Sequence, residues 1–126
     1  MNHIKKFNES IDELCYLIKG YNELINYVHN HSYDKFNRRD LNIIESLKEH
    51  FKLDTITKLS SYVYVISTDG VEKFPFDKKT NHIYKQIVVR KYQDEYFMLE
   101  IISNSENLIY IVDSIDGFQK IKEKIL

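Results

Sequence analysis

A chain of 126 residues with 43% hydrophobic and 29% charged side chains has enough apolar surface for one domain with its own core, and too much for a disordered chain. Its net charge of −1 argues against bulk electrostatic attraction to nucleic acid, and its single cysteine, Cys15, rules out an intramolecular disulfide and a zinc site built from cysteines. No apolar run approaches the roughly 20 residues of a membrane helix, and no apolar stretch follows Lys5 and Lys6 as in a secretory signal, so a soluble cytoplasmic protein with no membrane contact is expected.

The first thirty residues carry one long apolar stripe. Ile4, Phe7, Ile11, Leu14, Ile18, Tyr21, Ile25 and Val28 recur at alternating steps of three and four, and Leu17 and Leu24 widen the stripe on one side. The spacing predicts a helix ending near Asn30. It starts either at Asn2 or at Ser10, where Ser10 and Glu13 spell a capping box and residues 1–9 become an arm. From Asn2 the helix would be roughly 40 Å long, against about 35 Å for a compact domain of this size. It would then protrude, bend near Gly20, or pack on another chain. Cys15, beside the stripe, reads as a small buried hydrophobe.

A break at His29, Asn30, His31 and Ser32 precedes a second helix, capped by Asp34 or Asn37 with Asp40 in its first turn. Leu41, Ile44, Leu47 and Phe51 form its apolar face. The short linker predicts an antiparallel helical hairpin.

From residue 60 the apolar period changes to two. Strands are predicted over 62–67, 71–74, 82–92, 96–102 and 108–112. Asp69-Gly70 closes a hairpin and Pro75 ends its return strand. Residues 77–81 form a loop, and further turns fall at 93–95 and 104–107. Asp113 or Ser114 caps a last helix with Ile115, Phe118, Ile121 and Ile125 facing inward. The fold class is therefore α+β: a helical hairpin packed on a four- or five-stranded antiparallel meander with a C-terminal helix, in one domain spanning residues 1–126. Val63, Val65, Phe97, Leu99, Ile101, Ile109 and Ile111 are the expected dry face. Tyr62, Tyr64, Tyr84, Tyr92, Tyr96 and Tyr110 are left for the outer face, a tyrosine surface suited to binding another protein.

Chemistry-bearing motifs are sparse. His29 and His31 stand at a helix end, where two side chains diverge instead of sharing a metal. Asp69, Glu72 and Lys73 sketch the acid, acid, lysine set of metal nucleases, but Asp69 belongs to the Asp-Gly turn. No glycine-rich phosphate loop, C-x-x-C or nucleophile elbow occurs, so no cofactor, metal or catalytic set is expected. Gly117 could offer backbone N–H groups to an anion, but Asp113 and Asp116 beside it repel one. A site assembled from distant residues, such as His50, His82 and Glu100, is the enzymatic alternative.

Charge is uneven along the chain: residues 54–92 hold seven Lys or Arg against four acids, and residues 93–126 three Lys against seven acids. Lys73, Lys78, Lys79, Lys85, Arg90 and Lys91, with Phe74, Phe76, Tyr84 and Tyr92 between them, outline a stacking platform for single-stranded nucleic acid over 73–92. Isoleucine at alternate positions of the first stripe also suits a parallel dimer, although Phe, Tyr and Val at the companion positions do not. A homodimer is therefore one expectation among the partners.

The residues His3, Ile4, Lys5, Lys6, Phe7, Asn8, Glu9 and Ser10 resemble the start of many small proteins encoded by large tailed bacteriophages. Those often open with a variant of M-K-H-I-K-x-F-N-E, and Asn2 stands here where Lys is usual. The resemblance covers under a tenth of the chain and includes no functional residue. It implies a viral setting, in which small proteins of this kind are virion components or inhibitors of host enzymes and defence systems.

Overall fold

The computed structural model describes residues 15–68, 84–103, 106–114 and 116–124. In chain order these form β1 (Cys15–Leu17), α1 (Tyr21–Asn30), α2 (Arg38–Phe51), β2 (Thr55–Ser60), β3 (Val63–Ser67), β4 (Tyr84–Tyr92), β5 (Tyr96–Ser103), β6 (Asn107–Asp113) and α3 (Asp116–Lys124). The six strands make one sheet in the order β1-β6-β5-β4-β3-β2, every neighbouring pair antiparallel. The α+β class and antiparallel sheet agree with the sequence pattern, while the strand count is higher than the four or five expected.

Cross-strand register sorts the side chains onto two faces. Ile56, Ile66, Ile87, Ile101 and Leu108 lie in one row across the sheet. Tyr64, Val89, Leu99, Tyr110 and Leu17 form the next row, and Lys91, Phe97, Val112 and Cys15 the third. Ile44, Leu47 and Phe51 of α2 and Phe118 and Ile121 of α3 pack on these rows and make the main core. Each such buried side chain contributes about 1.5–3 kcal/mol relative to exposure. The opposite face carries Tyr16, Ile109, Ile111, Met98, Tyr96 and Tyr92, and α1 lays Leu24 and Tyr27 on it.

The helices therefore sit on opposite sides of the sheet, and the expected helical hairpin on one face is corrected to a layer on each. Residues 31–37 carry the chain from one side to the other. Tyr33 bridges Tyr92. The N–H of Gln93 donates to the Ser32 carbonyl at 2.9 Å, and that of Asp34 to the Lys91 carbonyl at 3.0 Å. The linker thus runs along β4 just where β3 has ended, supplying a partner to backbone groups that would otherwise lie bare.

Four further expectations change. Cys15–Leu17 is a strand, not part of a helix. Cys15, Tyr16 and Leu17 pair with Val112, Ile111 and Tyr110 of β6, and among the described residues the helix begins only after Gly20. Both proposed helix starts lie outside the described residues. Leu41 is not on the buried side of α2; Asp40 takes that place beside Ile44, Leu47 and Phe51. The strand β2 occupies Thr55–Ser60, and with β4 it fills both edges of β3, so the pairing expected across Asp69-Gly70 is not what borders β3. Residues 69–83, including Pro75 and the 71–74 strand, lie outside the described residues, as do Ile115 and Ile125. The expected dry face mixes two faces. Phe97, Leu99 and Ile101 meet α2 and α3, whereas Ile109 and Ile111 lie on the α1 side and Val63 and Val65 share that side by register.

Local signals hold where they are local. Asn37 caps α2, its side-chain oxygen accepting from the Asp40 N–H at 2.9 Å while the Asp40 carboxylate accepts from the Asn37 N–H at 2.8 Å. Lys52 ends the helix in the left-handed region, φ 58°. The β4–β5 hairpin turns through Gln93–Glu95, with Asp94 and Glu95 both at positive φ.

Candidate interaction face on the first helix

Gly20 starts α1 in an extended conformation without a side-chain cap, and Glu23 compensates within the first turn. Its carboxylate accepts from the Lys19 N–H at 2.7 Å and from the Tyr16 hydroxyl. That hydrogen bond to Glu23, with burial and then the Glu23 charge adding to it, holds the proton on the Tyr16 hydroxyl and pushes its pKa up to about 12. The only Lys, Arg, Asp or Glu of α1 is thus tied back to its own sheet.

Aromatic rings fix the underside of the helix. His31 stacks flat on Tyr27, centroids 3.8 Å apart, and its Nδ1 lies 2.9 Å from the Tyr27 carbonyl. Tyr27 meets Tyr92 edge-on at 5.2 Å, and His31 points its edge toward Tyr96 at 6.0 Å. Tyr33 is sandwiched between Tyr62 at 4.2 Å and Tyr92 at 4.9 Å. Contacts of this kind add about 0.5–1.5 kcal/mol per pair beyond area burial. Burial pushes the phenols of Tyr27 and Tyr92 upward, and burial with Asp113 and Asp94 nearby takes Tyr96 to about 12. Asp113 is itself raised, by its own burial and then by Glu95.

The upper side of α1 is different. Tyr21 is 74% exposed and Val28 39%, and Ile25 between them is half-buried. These three stand at i, i+4 and i+7, one apolar line along the flank of the helix beside its contact with the sheet. No family model, curated protein or solved structure matches this chain. The site therefore stands on its own geometry.

The six tyrosines expected to share an outer surface are distributed over both faces. Tyr92 and Tyr96 are buried under α1, and Tyr110 is buried in the main core with Tyr64 packed against that core. Tyr62 precedes β3 and stacks on Tyr33. Tyr84 belongs to β4, and its side chain lies outside the described residues. Register explains the split: Leu99 pairs with Tyr110, which sends that tyrosine to the side of Leu99, whereas Tyr92 pairs with Tyr96 on the side of α1.

The basic set is equally divided. Lys73, Lys78, Lys79 and the side chain of Lys85 lie outside the described residues. Arg90 pairs with Glu100 at 3.4 Å, and Lys91 is buried, its Nζ 2.6 Å from Asp40 and 5.8 Å from the Phe97 ring centre. Neither presents a free cation to a phosphate. His50 belongs to α2 on one face and Glu100 to the opposite face with Arg90, so the sheet separates them; His82 lies outside the described residues. Among the described residues no three His, Cys, Asp or Glu side chains converge as metal ligands. Asp69, Glu72 and Lys73 are not described. No described helix is long and apolar enough to cross a membrane.

The sequence did contain the signal for the outward line. The stripe is wider than one helix–sheet contact needs, with Leu24 on one flank and Tyr21, Ile25 and Val28 on the other; Tyr27, outside the stripe as read, joins Leu24 on the sheet. Only one flank can face the sheet.

Proposed function

We propose that this protein is a non-enzymatic accessory protein that works by binding another protein, in the bacteriophage setting implied by residues 3–10, in the host cytoplasm or as part of a virion. The observation that carries the reading is the Tyr21, Ile25 and Val28 line of α1, an apolar ridge on a helix whose other flank is already anchored by Leu24 and Tyr27. Binding through it is steric: a preformed ridge fills a groove on the partner, and the partner is occluded or positioned by the bulk of the sheet behind it. The ring of Tyr21 supplies the largest anchor, worth about 2 kcal/mol when truncated.

The test compares the wild-type chain with a Tyr21→Ser, Val28→Ser variant as immobilised bait in lysate of the cell that produces it. The reading expects a specific partner on the wild type and at least about thirtyfold less on the variant, from about 2 kcal/mol of lost contact. Equal recovery on both baits refutes it.

A further inference from the structure

We draw no further inference here: the strongest candidate, the apolar flank of α1 formed by Tyr21, Ile25 and Val28, belongs to the face already described, and nothing in the structure shows what covers it.

Discussion

Removing the ammonium of Lys91 should be among the most damaging single changes in the described part of this protein. Lys91 is 4% exposed and Asp40 is 3% exposed, and their 2.6 Å contact joins β4 to the first turn of α2. Lys91→Met keeps the aliphatic stem against Phe97 but leaves a buried carboxylate that, among the described residues, has only the Asn37 N–H as a partner. Breaking a buried pair from one side costs about 3–5 kcal/mol. That is a large part of the 5–15 kcal/mol that holds a domain together, and it lowers Tm by roughly 10–20 °C for a chain of this size. Urea unfolding of Lys91→Met, Asp40→Asn and the double variant measures it. The double variant should recover most of the loss, because neither partner is then left charged and alone, with a coupling of about 2 kcal/mol or more. Arg39→Ala is the control: its 3.4 Å contact with Glu95 is between half-exposed side chains and is worth at most about 0.5 kcal/mol. A loss under about 1 kcal/mol for Lys91→Met, or single losses that simply add in the double variant, refutes the reasoning.

Gly20→Ser should stabilise. The backbone there is extended at φ −173°, a Cβ meets nothing within 4 Å, and a hydroxyl can cap the free N–H groups of α1. A gain of about 0.5–1 kcal/mol, or a few degrees in Tm, is expected from calorimetry. Asp113→Asn should raise stability at neutral pH. The folded carboxylate titrates above its ordinary 3.8, so its contribution is complete below that value and is lost as pH rises through the folded value. The advantage of the variant should therefore vanish in denaturation curves taken below pH 3.8. Alkaline titration followed by tyrosinate absorbance should be biphasic. Tyr16 and Tyr96 ionise near pH 12 in the folded chain, and Tyr27 and Tyr92 are also held above 10.0. Stability from these four is full below pH 10 and declines as pH climbs beyond it. All ten tyrosines ionising in one wave at pH 10, with native circular dichroism, would contradict this.

What could be read in the sequence was what neighbours in the chain decide. Asn37 and Asp40 announce the start of α2 because a cap needs only residues three apart. Gln93, Asp94 and Glu95 announce a turn because two successive positive φ values are needed between Tyr92 and Tyr96. Phe118 and Ile121 mark the inner side of α3 by spacing alone. The misreadings involve partners far away. Cys15, Tyr16 and Leu17 continue a helical stripe by spacing, but three residues satisfy a strand equally, and the ladder to β6 decides. The tyrosine faces depended on how β5 and β6 align across their turn and on irregular pairing between Tyr84 and Gln86, neither of which local alternation specifies. Lys91 reads as a solvated cation because Asp40 stands 51 positions away. The outward line of α1 was visible as excess width, but which flank turned out was settled by Tyr27 finding Tyr92.

The pairing of Cys15 with Val112 has a consequence for biosynthesis. One edge of the sheet joins the earliest described strand to the latest, so the ribosome must deliver the chain as far as Val112 before that edge can close. At about 5–20 residues per second, the nascent segment around Cys15 waits on the order of ten seconds for its match. During that interval its apolar side chains are open to chaperones, to proteases and to neighbouring nascent chains.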